Sequence, residues 1–192
     1  MICIPIVGPT QNKSLEDIAM AEPLADFLEL RLDLMKDYDL GALLQAATKP
    51  CIVTNRTKRE GGQFAGTEEE RVNILKKAMD AGAEYVDIET STPKELLKPF
   101  LESDHKSKII LSYHNFTDTP EELEHLYKIM CEMPADVIVA NPAENAQRNA
   151  YFGDLHVHTA YSFDAFAFGT TATPYDAYRY ATGQAIKHPA GF

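Results

Sequence analysis

The sequence predicts an α/β fold of the (β/α) barrel type, TIM-barrel-like, and three observations carry that expectation. Short runs rich in Ile, Val and Leu recur at intervals of roughly 25 to 30 residues, each followed by a capped amphipathic stretch. That Ile, Val and Leu content suits parallel strands covered by helices. No Gly-rich phosphate loop follows the first run, where Gly8-Pro9-Thr10-Gln11 stands instead, and this favours a barrel over an open dinucleotide-binding sheet.

The elements follow in order. Ile2–Val7 is the first strand, and Ser14-Leu15-Glu16-Asp17 opens the first helix with a cap-like box. Phe27–Leu32 is the second strand, and Leu40–Ala47 lies in the second helix. Cys51–Asn55 is the third strand; after Gly61-Gly62, Thr67 caps a helix in which Glu70 completes a capping box. Tyr85–Glu89 is the fourth strand, and Thr92-Pro93-Lys94-Glu95 starts a helix with proline at its first position. Lys108–Tyr113 is the fifth strand, Thr119-Pro120-Glu121-Glu122 repeats the start signal, and Val137–Ala140 begins a sixth strand.

After Ala140 the texture changes. Residues Asn141 to Asn149 are polar and turn-rich, aromatics are dense from Tyr151 to Phe168, and charges are sparse. Leu155–Thr159 can form a strand, Thr173-Pro174-Tyr175-Asp176 starts a helix, and Gln184–Lys187 can form one more strand. The expected organisation is therefore a partial barrel over 1–140 and a tail over 141–192. Two tail strands added to six make eight, so the tail could complete the barrel. An incomplete barrel, or one closed by exchange of strands with a second chain in a homodimer, fits as well.

The 18 basic residues stand against 29 acidic ones, a formal net charge of -11, which excludes a general nucleic-acid or anionic-membrane binder. It leaves room for a small anionic ligand held by a few local arginines. Cys3, Cys51 and Cys131 are odd in number and widely spaced; Cys3 and Cys51 fall in apolar runs and read as reduced core residues of a cytoplasmic protein. Met1–Val7 has no basic region before its short apolar run and reads as neither a signal peptide nor a membrane span.

Alternating α/β folds gather their chemistry at the carboxyl ends of their strands. Five residues are expected at that rim: Glu29 and Arg31 on the second strand, Arg56 and Glu60 at and beyond the end of the third, and His114 at the end of the fifth. A histidine there can move protons near neutral pH, or can simply close a hydrogen bond at a strand end. Asp87 and Glu89 alternate through the fourth strand. Charges facing a barrel interior are costly unless they pair or bind something polar. Two readings follow: a paired network that fixes the fold, or arginines that clamp a carboxylate while Glu60 orients His114.

From Met1 to about Asp136 the chain resembles type I 3-dehydroquinate dehydratase, the (β/α)8-barrel lyase of the shikimate pathway and of aromatic amino acid biosynthesis. The matching motifs are Glu29-Leu30-Arg31-Leu32-Asp33, Thr54-Asn55-Arg56 with Glu60-Gly61-Gly62, Tyr85-Val86-Asp87-Ile88-Glu89, and Ser112-Tyr113-His114-Asn115-Phe116. The resemblance implies substrate binding by Glu29, Arg31 and Arg56, general acid/base work by His114, and Glu60 as its acidic partner. It implies no cofactor and a small anionic substrate. The family forms a Schiff base through a lysine on the sixth strand, an electron sink for loss of the neighbouring proton and then of water. Here that strand reads Ala135-Asp136-Val137-Ile138-Val139-Ala140, and Val139 stands where the lysine is expected. The resemblance thus implies a dehydratase barrel with weak or no activity, interrupted before its nucleophile. Lys187 is the one replacement the tail offers.

The tail resembles another family. Tyr151-Phe152-Gly153-Asp154-Leu155-His156-Val157-His158-Thr159 is similar to the opening strand of a polymerase-and-histidinol-phosphatase (PHP)-type metal hydrolase, in which a His-x-His pair ligates divalent metals. Alternate residues of a strand share a face, so His156 and His158 can reach one ion, with Asp164 and His188 as further candidates. Two ligands do not close a site, so the expectation is adventitious Zn, Mn or Ni binding. Joined signatures suggest a chimera, either engineered or produced by recombination; the other functional readings are a structural barrel without a selected function and, third, a metal-dependent phosphoesterase.

Overall fold

The structure is a computed structural model and describes residues 2–142 apart from Asp118. These residues belong to one compact unit spanning 1–150. The junction and the tail elements expected from Leu155, Thr173 and Gln184 onward, with His156, His158, Asp164, Lys187 and His188, lie outside the described residues.

Six strands form one parallel sheet in sequential order: β1 (Cys3–Ile6), β2 (Phe27–Arg31), β3 (Cys51–Thr54), β4 (Tyr85–Glu89), β5 (Lys108–Asn115) and β6 (Val137–Pro142). Helices α1 (Gln11–Ala21), α2 (Leu40–Ala46), α3 (Glu68–Asp80), α4 (Lys94–Leu101) and α5 (Leu123–Cys131) make the crossovers. An all-parallel sheet without reordering is a (β/α) barrel opened into a half-barrel, with β1 and β6 at its edges. Among the described residues no strand pairs with the outer side of either edge, and no helix is long and apolar enough to cross a membrane.

Strand alternation sorts the side chains. Leu28, Leu30, Val53, Val86, Ile88, Ile109 and Leu111 face the helices and are fully buried. Each contributes about 1.5–3 kcal/mol through removal from water. The other parity lines the inner face, and the register aligns Arg31 with Thr54, Thr54 with Asp87, Glu89 with Ser112, and Ser112 with Val139. Toward the open edge this face is wet: Val137 and Val139 are each 37% exposed.

Several expectations need correction. The first helix begins at Gln11 with Thr10 as its cap, and Ser14 is buried inside it, its hydroxyl donating to the Gly8 carbonyl. The fourth helix begins at Lys94 with Pro93 as the capping residue, because the Thr92 hydroxyl is engaged with the Glu89 carbonyl and Arg71. The fifth helix starts only at Leu123, beyond the Thr119-Pro120 signal. Only the Thr67/Glu70 capping box forms as read. Cys3 is exposed, because it lies on the inner face at the open β1 edge; Cys51 is buried, and all three cysteines are free.

The fifth and sixth strands run longer than expected. Their ladder continues through Tyr113↔Ala140, His114↔Asn141 and Asn115↔Pro142. His114 therefore stands within β5 rather than after it, with the inner-face parity of Ser112.

Candidate functional site

The rim after β3 is a tight loop. A short 3-10 turn over Lys58–Glu60 ends at Gly61, whose φ of 82° is left-handed and suits glycine. Gly62 packs so close to the Arg56 carbonyl that a Cβ would overlap it, while the Gly62 amide donates to Thr57 O at 2.8 Å. This folding carries Glu60 back over the inner face, where it is 4% exposed.

Glu60 meets His114 there. The His114 backbone amide donates to Glu60 Oε2 at 2.9 Å, and His114 Nδ1 lies 3.4 Å from the same oxygen, an ion-pair distance without hydrogen-bond alignment. The Ser91 hydroxyl donates a short bond to the other carboxylate oxygen, Oε1. Burial pushes the Glu60 carboxyl up, but contact with the His114 ring and the bonds from Ser91 and the His114 amide outweigh it and hold it below the usual value. Phe116, largely exposed, stacks on the His114 ring at a centroid distance of 6.3 Å. A carboxylate at Nδ1 favours the tautomer protonated there and leaves Nε2 as the ring atom that can take or give a proton.

A second cluster lies one step below. Arg56 forms a fork on Asp87, at 3.0 and 3.1 Å, and its Nη1 also reaches Glu89 at 3.3 Å and Ser112 Oγ at 2.8 Å. Ser112 Oγ in turn donates to Asp87 at 2.6 Å. Arg71, fully buried on α3, closes the cluster with a short ion pair to Glu89 and bonds to Glu68 and Thr92. Burial would weaken the Arg56 charge, but Asp87 and Glu89 more than compensate and raise its pKa above the usual guanidinium value. Glu89 is raised by burial and by neighbouring Asp87, against the opposing pull of Arg71 and Arg56.

Arg31 and Glu29 occupy the β2 side. Arg31 is half-buried and bidentate to Asp33, both bonds at 2.9 Å, and Asp33 also accepts the Gln63 backbone amide at 3.0 Å. Glu29 accepts from Thr54 Oγ1 at 2.6 Å. The structure thus brings Glu60 and His114 into direct contact, while Arg56, Arg31 and Glu29 each have partners from their own chain. No group of three or more His, Cys, Asp or Glu residues among the described residues is arranged to hold a metal ion. A hollow of about 250 Å³ at the opposite end of β3, lined in part by Lys49, Cys51 and Glu84, includes none of the rim residues.

Two contributors escaped the sequence reading. Arg71 shares a helix face with Leu75 and Ala78, at i+4 and i+7, and a charge on an apolar stripe is a signal that could have marked it. Ser91 carried none, because its role depends on a turn meeting a loop 31 residues away in sequence.

Comparisons with known proteins bear on the family and the fold. The family model "Type I 3-dehydroquinase" matches residues 2–158, and a second, "Protein of unknown function (DUF3604)", matches residues 145–192. The chain is 39% identical over 132 residues to the 3-dehydroquinate dehydratase of Methanocaldococcus jannaschii, a match covering 68% of this chain and 60% of that protein. The Methanococcus vannielii 3-dehydroquinate dehydratase is 33% identical over 171 residues, 88% of this chain and 78% of that one. Among solved structures, 3-dehydroquinate dehydratase from Enterococcus faecalis superposes with a TM-score of 0.66 at 28% identity, covering 77% of this chain and 68% of that one. The chain thus spans 60% of the length of the Methanocaldococcus relative.

Proposed function

Because the chain belongs to the type I 3-dehydroquinase family, we propose that it carries the recognition and proton-transfer part of a 3-dehydroquinate dehydratase, and that Val139 leaves it weak or inactive in the full reaction. The Glu60–His114 contact is the observation that carries this reading. In the dehydration, His114 would remove a proton beside the substrate carbonyl and return it to the departing hydroxyl, with Glu60 holding the ring. Arg31 is better placed than Arg56 to meet the substrate carboxylate, since the Arg56 terminal nitrogens are taken up by Asp87, Glu89 and Ser112. Glu29 would accept a substrate hydroxyl beside Thr54.

The electron sink is what the chain lacks. Imine formation needs an amine near His114, and Val139 presents two methyl groups level with Ser112 on that face. Lys108 shares the inner parity of β5 but stands six residues before His114, hydrogen-bonded to Tyr85. The reaction as proposed calls for no cofactor. Calorimetric titration with 3-dehydroquinate tests recognition, with saturable heat as the expected result. Borohydride trapping tests the remainder: a covalent adduct on this chain would overturn the assignment of Val139.

A second reading concerns the tail alone and rests on its His-x-His spacing, since the family that matches residues 145–192 is one of unknown function. Its His156/His158 pair would bind a divalent ion of the Zn, Mn or Ni kind, as in a PHP-type metal hydrolase. Equilibrium dialysis against Zn with and without His156→Ala decides this, and equal uptake by both rejects it. A cytoplasmic location and a homodimer closed by strand exchange complete the proposal; light scattering reads whether the chain is a dimer.

A further inference from the structure

The Glu60 carboxylate is buried, and its terminal torsion is of the broad, two-fold kind that no rotamer well fixes. Its two oxygens are nevertheless unequal. Oε2 faces the His114 amide and ring, and Oε1 takes the Ser91 hydroxyl. Ser91 is itself held from two sides. Arg59 Nη2 donates to the Ser91 carbonyl at 2.9 Å, and the next residue, Thr92, is pinned by Arg71 and by the Glu89 carbonyl at 2.6 and 2.7 Å. The turn after β4 and the loop after β3 are therefore cross-tied at both backbone and side chain.

We infer that Ser91 is a positioning residue for the Glu60–His114 pair, locking the carboxylate so that one fixed oxygen faces the imidazole. Without that hydroxyl, Oε1 has lost its donor in a buried position, and the carboxylate can turn away from the ring or take up a proton. Of the groups acting on the Glu60 charge, His114 on β5 is the titratable one, and Ser91 supplies its hydrogen bond without a charge. Arg59, the adjacent cation, is directed to Glu68 at 3.1 Å. The inference rests on the proposed role of the pair, but its test needs no substrate.

The experiment compares wild type, Ser91→Ala, Ser91→Thr and Glu60→Gln by NMR. It follows the Glu60 carboxyl carbon through pH in the three proteins that keep the carboxylate, and the His114 ring nitrogens in all four. Ser91→Ala should move the Glu60 midpoint upward by about half a unit or more and reduce the population protonated at Nδ1. Ser91→Thr, which keeps the hydroxyl, should restore both, and Glu60→Gln, which removes the charge but keeps an oxygen there, should weaken the preference at Nδ1. Unchanged signals in Ser91→Ala overturn the inference, as does a change that Ser91→Thr fails to restore. So does a drop in melting temperature with the Glu60 and His114 signals unmoved, which would make Ser91 merely structural. Calorimetry with 3-dehydroquinate on the same samples separates the two levels: absent binding with an intact Ser91 effect rejects the function and leaves the positioning role standing.

Discussion

Replacing Arg71 by methionine tests the buried charge cluster where it is least forgiving. Arg71 and Arg56 together face Asp87 and Glu89, so the core of the cluster is balanced at two charges of each sign. The substitution leaves two carboxylates against one guanidinium, and of its two arginine contacts Glu89, 1% exposed, keeps the longer one, 3.3 Å from Arg56. Glu68 is partly exposed and can return to water, so Glu89 dominates the cost. Breaking one side of a buried pair typically costs about 3–5 kcal/mol, or roughly 10 °C of melting temperature for a chain of this size. Burial already raises the Glu89 pKa, and losing Arg71 raises it further. A carboxyl with a raised folded-state pKa contributes stability below its unfolded value and loses it as pH rises. The penalty of Arg71→Met should therefore be largest at neutral pH and shrink toward pH 4. Urea denaturation of both proteins at pH 7 and pH 4.5 measures this. A loss below about 1 kcal/mol, or one independent of pH, would refute the view that a stranded Glu89 charge carries the cost.

Three further outcomes follow from the same geometry. Val139→Lys places an amine on the inner face level with Ser112, and borohydride with 3-dehydroquinate should yield an adduct by mass spectrometry that wild type does not; no adduct would mean that residue 139 is not the imine position. Gly62→Ala forces a Cβ against the Arg56 carbonyl and should destabilise by about 2 kcal/mol, whereas the same change at Gly41, with one near contact to the Asp39 side chain, should cost far less in thermal melts. Glu60 is held below its ordinary value, so its contribution is present above that value and lost as pH falls through the folded one. Glu60→Gln should therefore differ from wild type by about 1 kcal/mol at pH 7 and converge with it near pH 3; a gap that persists in acid would refute the sign.

What the sequence determined by itself was the alternation of strands and helices and the family motifs. These are legible in local sequence: an apolar run of six residues bounded by turn signals, or a Thr-x-x-Glu box, biases its own segment before anything packs on it. The starts of the first and fourth helices were less legible, because Ser14 and Thr92 have cap chemistry in the sequence but use it on Gly8, Glu89 and Arg71. Thr67, with no competing partner, capped as expected.

The tertiary structure decided which charges meet. Arg56 stands next to Asn55 and Thr57 in the chain, and only the β3–β4–β5 register sets its guanidinium between Asp87, Glu89 and Ser112. Extension of the β5–β6 ladder to Asn115 gave His114 its inward parity, and the Gly61-Gly62 loop brought Glu60 to it. Contacts of this kind join residues 18 to 56 apart in sequence, so they depend on strand order and loop closure. No local pattern of residues encodes those, because the chain reaches them only when its apolar runs have already packed side by side.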